Sequence, residues 1–375
     1  MLLGSTARSA RNRLRPLAAA AALALTLLAA PAAATPETAS ARTPGTTHTV
    51  PLQGVARDAP AGEGRTIAAI PRTPTRAFSL AGISWDDPAA DPRLVVTLRT
   101  KSQGKWGSWR TIRTTGDRLA DTARRGASEP LWMGRSDAVQ ARVGLLSGDV
   151  PRGLRLELVD PGVASVDGKV RPRGAGSRPA IVSRAAWGAD ESLREADFKY
   201  TDTVKVVFVH HTADSNTYSC ADSPAVLRSI YRYHVKTNGW SDIGYNFLVD
   251  RCGTIFEGRA GGVDKAVRGA HTLGFNTDSM GVAAIGTYTD TAPPAALLEG
   301  LTRVIAWKLG MYGRNPLGQD QLTSGDSASR FAAGTNVRFN VVSGHRDAFV
   351  TECPGQSLYD NLPRLRRGAA KALGT

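Results

Sequence analysis

The sequence has few cysteines and no long apolar segment after its N-terminus. It contains three cysteines in 375 residues, which excludes a disulfide-dense scaffold. No stretch after residue 34 has 18 uninterrupted apolar residues, so we expect no stable membrane span in the body of the chain. The short motifs HExxH and CxxC are absent as well, as is any internal repeat. With 21% charged residues, the composition is that of an ordinary globular protein.

Acidic residues are in the minority. The chain has 33 Asp and Glu against 47 Lys and Arg, a formal net charge of +14. The basic residues are scattered and no nucleic-acid-binding motif occurs, so we expect no nucleic-acid partner. A strongly basic protein is attracted over long range to anionic polymers, which outside a cell are wall polymers and acidic phospholipids. The alternative is a solvated basic surface with no specific partner.

The first 34 residues have the composition of a secretory signal. Four arginines between positions 8 and 15 precede a short apolar run at 17–30, and three alanines at 32–34 supply a cleavage site. We therefore expect a signal peptide over 1–34 and a secreted protein, which could be associated with a cell wall. Loss of the four arginines reduces the net charge from +14 to +10. An uncleaved anchor is the alternative, although the run is short for a membrane span.

The N-terminal half shows strand patterns and no helical pattern. Residues 35–65 are rich in Ala, Thr, Pro and Gly, which predicts a flexible leader. Short β-branched segments separated by turn residues follow, at 76–84, 94–100, 109–114, 138–145 and 155–160. They predict a small all-β, sandwich-like domain over 66–160. Trp106 and Trp109 either form a sugar- or partner-binding face of this domain or pack together at a strand edge.

The C-terminal half has an α/β pattern. Residues 161–178 combine Pro, Gly and Arg, which predicts an exposed linker. Apolar segments at 204–209, 245–249, 254–257, 281–285 and 337–342 then predict strands. Helical spacing of apolar residues after Ser223, after Pro294 and over 358–373 predicts three helices. We therefore predict an α/β domain over 179–375, with a central mixed β-sheet flanked by helices.

Histidines end two of the predicted strands in this domain. His210 and His211 follow the strand at 204–209, and His345 follows the strand at 337–342. Sites in open α/β sheets form beyond the carboxyl ends of strands. Cys353 is eight residues after His345, enough for a loop to turn back towards it. A thiolate and two imidazoles are a suitable three-ligand set for catalytic Zn²⁺.

The residues alone leave this assignment open. A histidine at a strand end commonly serves as a hydrogen-bonded core residue, and spacing does not prove metal geometry. If Cys220 and Cys252 pair as a disulfide, Cys353 is the odd cysteine, and a metal would protect its thiol from oxidation. The alternatives are a buried thiol at Cys353, or a disulfide that uses Cys353 and leaves a different cysteine over.

Four motifs in the C-terminal half resemble a known family. They are FVHHTAD (208–214), GWSDIGYNFLVDRCGTIFEGR (239–259), GAHTLGFNTDSMGVAAIG (269–286) and SGHRDAFVTECPG (343–355). In this order and spacing they resemble the peptidoglycan recognition protein family, which includes the type 2 N-acetylmuramoyl-L-alanine amidases. The resemblance covers residues 179–365. The chain also resembles actinobacterial secreted members of the family that carry an extra N-terminal β-domain.

The resemblance implies a zinc site and a set of site residues. The metal ligands it implies are His210, His345 and Cys353, with His211 and His234 as supporting core residues. It implies catalytic roles for Tyr245 and Thr351, and it supports the disulfide between Cys220 and Cys252. Three further positions match the groove that holds the glycan and stem peptide of the substrate: Trp240, His271 and Asn276.

The activity that the resemblance implies is zinc-dependent hydrolysis of the amide between N-acetylmuramic acid and the L-alanine of the peptidoglycan stem peptide. Tyr245 or Thr351 would donate a hydrogen bond to the developing oxyanion, an effect worth about 3 kcal/mol per donor. Members that only bind peptidoglycan usually lack the cysteine ligand, and Cys353 is present here. Binding without cleavage is the alternative function. We expect the protein to act as a monomer on peptidoglycan, with anionic wall polymers as further candidate partners.

Overall fold

An antiparallel β-domain forms the N-terminal part of the structure. The structure is a computed structural model that describes residues 43–54, 64–114, 123–164 and 178–375. In the described residues this domain has nine strands: β1 (Thr46–Pro51), β2 (Gln53–Gly54), β3 (Arg65–Trp85), β4 (Arg93–Ser102), β5 (Lys105–Trp106), β6 (Arg110–Arg113), β7 (Gly126–Ala127), β8 (Leu131–Ser147) and β9 (Arg155–Asp160). The main strand order is β1-β9-β3-β8-β4-β5, so the prediction of an all-β domain is confirmed.

Two long strands bend around the core of the β-domain. The pairing of β3 with β8 shifts register at four points. Such bulges bend strands and increase their twist. One hydrophobic cluster fills the inside, and Leu94, Val96 and Leu98 of β4 all belong to it. The residues between them point to the other face of the sheet, because successive side chains of a strand alternate.

The leader predicted over 35–65 is wrong in part. Strand β1 pairs antiparallel with β9 along its whole length, from the Thr46–Asp160 pair to the Pro51–Arg155 pair. The composition of this segment did not predict a strand, because its Thr- and Pro-containing sequence is stabilised by pairing with β9, which lies about 100 residues further along the chain. The predicted signal peptide, 1–34, lies outside the described residues, and so does most of the predicted linker, at 165–177.

The second part of the structure is built on a mixed six-stranded sheet. Its strand order is β10-β13-β12-β14-β11-β17. Only the β12–β13 hairpin is antiparallel among these pairs. The strands of this part, including a separate β15–β16 hairpin, are β10 (Ile181–Val182), β11 (Val206–His211), β12 (Phe247–Val249), β13 (Ile255–Glu257), β14 (Ser279–Ala284), β15 (Gln319–Thr323), β16 (Asn336–Asn340) and β17 (Val342–Gly344).

Helices cover both faces of this sheet, so the predicted α/β fold class is confirmed. Helices α3 and α6 pack on one face, and α2 packs on the other. No helix in the described ranges is long and apolar enough to cross a membrane. The helices are α1 (Arg184–Trp187), α2 (Ser223–Arg232) with a π-helical turn at Tyr233–Thr237, α3 (Ala295–Met311), α4 (His345–Ala348), α5 (Gln356–Tyr359) and α6 (Leu362–Leu373).

The structure differs from the predicted elements near the C-terminus. The single strand predicted at 337–342 is two strands, β16 and β17. The helix predicted over 358–373 is interrupted after α5, and Pro363 lies in the first turn of α6. Proline has no N–H to donate within a helix but is well tolerated in its first turn.

The predicted disulfide is confirmed, because Cys220 before α2 forms a disulfide with Cys252 in the turn between β12 and β13.

The two parts of the structure share a hydrophobic core. Leu80, Trp132 and Val159 of the β-domain are buried in one cluster with side chains of α2 and of the α/β sheet. The hydroxyl of Tyr233, which is buried, lies 3.3 Å from the carbonyl of Ile83 and 3.1 Å from that of Ser128. The two domains predicted from the sequence are therefore packed against each other through a common core.

The tightness of this junction can be tested at Gly82. A Cβ atom at this position would lie 2.6 Å from ring atoms of Tyr233, closer than real contacts allow. We expect Gly82→Ala to lower the free energy of unfolding by about 1 to 3 kcal/mol, because the overpacked ring has no space to move into. Thermal denaturation measures the effect. Gly107→Ala is the matched control, since its Cβ would meet only a carbonyl oxygen at 3.6 Å, and equal stability of the two variants would contradict the prediction.

Candidate metal centre

The two adjacent histidines close strand β11 and point to opposite faces of the sheet. His210 is fully buried on the face that carries α2. His211 points the other way, where its Nδ1 accepts a hydrogen bond from the backbone N–H of Tyr288 at 3.3 Å. This alternation follows from the strand period of two residues. It explains why only the first of the pair reaches the candidate site.

The other two candidate ligands come from the segment after β17. His345 is the first residue of α4 and is fully buried, with its ring stacked on Phe349. Cys353 follows in the next loop and is 6% exposed. Its sulfur accepts a hydrogen bond from the backbone N–H of His211 at 3.4 Å. Strands β11 and β17 are parallel neighbours, so the chain leaves both at the same edge of the sheet.

The three side chains form a cluster that could hold a metal ion. One ligand atom of each of His210, His345 and Cys353 lies within 4.8 Å of the others. The Sγ of Cys353 is 3.7 Å from Nδ1 of His210. Two ligands of one tetrahedral Zn²⁺ would be separated by about 3.6 Å, given Zn–S and Zn–N bonds of ~2.3 and ~2.0 Å.

An observation at His345 supports this fit. Its Nδ1 and Nε2 are both buried without a hydrogen-bond partner among the described residues. Buried polar atoms without a partner are rare and costly. A cation would satisfy one of these nitrogens, so the residues present fit a zinc ion.

The surroundings keep both imidazoles neutral. Burial lowers the pKa of His345 to about 3, and His211 adds to the effect. Burial also holds the pKa of His210 well below its ordinary value, with smaller contributions from His345 and His271. A metal ligand must be deprotonated, so neutral imidazoles at neutral pH are the form that binds a cation.

His271 contacts the His210 ring on its Nε2 side. Its Nδ1 lies 3.3 Å from Nε2 of His210 and 3.0 Å from Oγ1 of Thr272. Nδ1 of His210 faces the sulfur of Cys353, so Nε2–H of His210 donates to Nδ1 of His271. This hydrogen bond fixes the orientation of the His210 ring, as in known metal sites. Asn276 in turn shapes this loop, because its Oδ1 accepts from the backbone N–H groups of His271 and Thr272 at 2.8 and 2.9 Å.

Tyr245 borders the cluster on the side of α2. Its ring centroid is 5.3 Å from that of His210 and 5.8 Å from that of His234. His234 accepts a hydrogen bond from the backbone N–H of Gly244 at 3.2 Å and so holds the segment that carries Tyr245. Burial lowers the pKa of His234 to about 3, consistent with this acceptor role.

Thr351 lies next to the third candidate ligand. Its hydroxyl oxygen accepts a hydrogen bond from the backbone N–H of Cys353 at 2.9 Å. The hydroxyl proton remains available for donation to a ligand. The side chain is half-buried, so part of it is open to the surface.

The three predicted groove residues are less accessible than the prediction requires. Trp240 is 4% exposed and packs on His234, with 4.4 Å between the ring centroids. Asn276 is 2% exposed and is engaged with its own loop. His271 is fully buried, although its Nε2 has no hydrogen-bond partner in the part of the chain that the structure describes. Their contacts support neighbouring residues, and the predicted contact with substrate stays a prediction.

One contact near the site was not predicted from the sequence. Asp214, four residues after His210, is buried, and its Oδ1 accepts from the backbone N–H of Trp132 in the β-domain and from that of Ser215. The guanidinium of Arg110, also from the β-domain, donates to Oγ of Ser215 at 2.6 Å. The loop after strand β11 is therefore held by the β-domain.

Comparison with known proteins identifies the family of this chain. The N-acetylmuramoyl-L-alanine amidase family matches residues 200–356. Peptidoglycan recognition protein 1 of Bos indicus is 31% identical over 197 residues, which cover 50% of this chain and 86% of that protein. The chain belongs to the peptidoglycan recognition protein family. A human N-acetylmuramoyl-L-alanine amidase is 34% identical over 187 residues, covering 49% of this chain and 28% of that protein.

Further comparisons concern the β-domain and solved structures. The family described as Rv3811 N-terminal galactose-binding domain-like matches residues 31–157, in agreement with the observed β-domain. Drosophila PGRP-LB is similar at 26% identity and a TM-score of 0.38, covering 48% of this chain and 91% of that chain. The complex of PGRP-LCa and PGRP-LCx with tracheal cytotoxin is similar at 26% identity and a TM-score of 0.40, covering 49% and 95%.

The buried carboxyl of Asp214 predicts a pH dependence of stability. Burial raises its pKa from 3.8 to about 7, against the opposing effects of its two backbone donors and Arg110. Between about pH 4 and pH 7 the folded state keeps a proton that the unfolded state releases, so stability falls as the pH rises through this window. We expect Asp214→Asn to remove this loss of folding stability, so that the variant is more stable than the wild type by about 2 to 4 kcal/mol at pH 8.

Urea denaturation at pH 4, 6 and 8 measures this effect. The exposed Asp149 offers a matched control, and Asp149→Asn should follow the wild type at each pH. If the stability of Asp214→Asn changes with pH in parallel with that of the wild type, the carboxyl is ionised in the folded state and the prediction is wrong.

Proposed function

We propose that the protein is a zinc-dependent N-acetylmuramoyl-L-alanine amidase. It would hydrolyse the amide between the lactyl group of N-acetylmuramic acid and the L-alanine of the peptidoglycan stem peptide. The observation that carries the proposal is the buried cluster of His210, His345 and Cys353. Three protein ligands are typical of a catalytic zinc site, which keeps one position open, whereas structural sites use four.

The chemistry that a zinc ion supplies in such a site is polarisation of the amide carbonyl and activation of a water molecule. The residues of the chain do the rest. His210 and His345 stay neutral, and His271 fixes the orientation of the His210 ring. Burial around these rings excludes bulk water, which strengthens hydrogen bonds to a developing charge.

Two hydroxyl groups border the place where the carbonyl oxygen would gain charge. Tyr245 packs against His210, and Thr351 is two residues before Cys353 with its proton available for donation. They come from two different segments of the chain, one before β12 and the other in the loop after α4. We assign both as donors that stabilise the oxyanion.

Binding without cleavage is the alternative function, since the family includes both kinds of protein. The presence of a cysteine at position 353 favours the enzyme. The sulfur is buried beside an imidazole nitrogen, a position that a purely recognising protein has no need to maintain. We also propose that the protein acts outside the cytoplasm, where its substrate lies, on the basis of the signal peptide predicted over 1–34.

Removing the sulfur tests the zinc site directly. We expect Cys353→Ala to lose stoichiometric zinc and to lose cleavage, because two remaining imidazoles cannot retain the ion. Metal analysis of the purified protein and mass spectrometry of muropeptides, with and without a chelator, measure the two effects. Ser343→Ala, a buried change just before the same loop, should keep both properties. Full cleavage by Cys353→Ala would refute the proposed mechanism.

Removing the hydroxyl groups separates catalysis from metal binding. We expect Tyr245→Phe to lower kcat by about 10²- to 10³-fold while the zinc content is unchanged, because the hydroxyl that would donate to the oxyanion is lost and no metal ligand is. Thr351→Val should act in the same direction, and Thr351→Ser should restore most of the rate. Steady-state kinetics on a soluble muropeptide measures these effects, and an unchanged kcat in Tyr245→Phe would exclude that residue as a donor.

A further inference from the structure

A row of arginines and tryptophans lies on the β-domain. The guanidinium carbons of Arg72 and Arg99 lie 5.5 and 5.3 Å from the ring centroid of Trp106. Those of Arg99 and Arg142 lie 4.7 and 5.7 Å from the ring of Trp109. These five side chains therefore form a continuous series of alternating cations and indoles, which we call the Arg–Trp ladder.

The ladder lies on the outer face of the β-sheet. Leu98 points into the core, so its neighbour Arg99 points outward. Arg99 is also held in place, because its Nε donates to Oε1 of Gln140, its partner across strands β4 and β8, at 2.9 Å. Arg142 is exposed, and Trp109 is 39% exposed.

The ladder arginines differ from other arginines of the β-domain in their ion pairs. Other arginines of the β-domain form ion pairs, as Arg125 and Arg155 do with Asp86. Across the described ranges no carboxylate lies within ion-pair distance of any of the three ladder arginines. Arg72 and Arg142 are exposed, so their guanidinium groups are open to solvent, in a planar form that matches carboxylates.

The segment that carries Trp109 also contacts the α/β domain. Trp109 immediately precedes Arg110, whose guanidinium contacts Ser215 in the loop that follows His210. A long polymer could contact the α/β domain and the β-domain at the same time. Peptidoglycan is such a polymer, and each uncleaved stem peptide carries carboxylates at a regular interval along it.

We propose that the Arg–Trp ladder binds the stem-peptide carboxylates of polymeric peptidoglycan and so attaches the protein to its substrate. This inference rests on the proposed function for the identity of the polymer. The guanidinium groups pair with carboxylates through two parallel N–H donors. Several weak contacts along one polymer add up through a high effective concentration. The ladder acts on the insoluble polymer, whereas the metal cluster acts on a single amide bond.

Co-sedimentation of the full chain with intact sacculi, in the presence of a chelator that blocks hydrolysis, tests the proposal. We expect Arg99→Gln/Arg142→Gln to weaken binding by about tenfold, because two charge-assisted contacts are lost. The single variant Arg142→Gln should weaken it by about threefold. The matched control is Arg152→Gln/Arg364→Gln, which removes two exposed arginines without an aromatic neighbour and should bind like the wild type. Circular dichroism and thermal denaturation confirm that each variant is folded.

Two treatments of the sacculi identify the bound group. Hydrofluoric acid removes phosphodiester-linked polymers, and the difference between the ladder variant and its control should persist. Amidation of the stem-peptide carboxylates should abolish that difference. Equal binding by the two double variants, loss of the difference after acid treatment, or its survival after amidation would each overturn the proposal. If the wild type cleaves no muropeptide, the proposed function fails, but the binding comparison still decides the role of the ladder.

Discussion

The desolvation of two imidazoles and one thiol at a single edge of the sheet is the constraint around which the α/β domain is organised. His210, His345 and Cys353 are buried together, and burial holds the pKa values of both histidines low. Two ring nitrogens of His345 have no protein partner within the described residues. Leaving such groups unsatisfied costs free energy, which metal binding can return. Parallel pairing of β11 with β17 is what brings the three together, because it places the ends of both strands side by side.

The support of the site extends beyond its own domain. Asp214 and Ser215, in the loop after β11, are held by Trp132 and Arg110 of the β-domain. The core behind them is also shared, with Tyr233 of the π-helical turn inserted between β-domain carbonyls. The β-domain thus has two roles in our interpretation, since its inner contacts stabilise the loop that follows the ligand strand and its outer face presents the Arg–Trp ladder.

The sequence predicted where the longer strands and helices lie better than it predicted their ends or the contacts between them. Most of the longer strands follow from local pattern, and the grouping of His210, His345 and Cys353 follows from the resemblance of the surrounding motifs to a known family. The pairing of His271 with His210 and the contact of Asp214 with Trp132 could not be predicted, because they depend on how distant segments pack. Strand β1 was missed for the same reason, since it is stabilised by β9 rather than by its own composition. Trp240 matched a groove position by motif, yet packing against His234 buries it.

The shared core also determines how the protein can be dissected. A chain that began at residue 178 would expose to water the apolar surface that Leu80, Trp132 and Val159 now cover. A contiguous exposed patch of this kind promotes aggregation. If such a truncated chain bound weakly to the cell wall, the cause would then be its poor solubility rather than the loss of a binding site. The C-terminal half therefore depends on the β-domain to cover its apolar surface, and substitutions on the surface of the β-domain give cleaner information than its deletion.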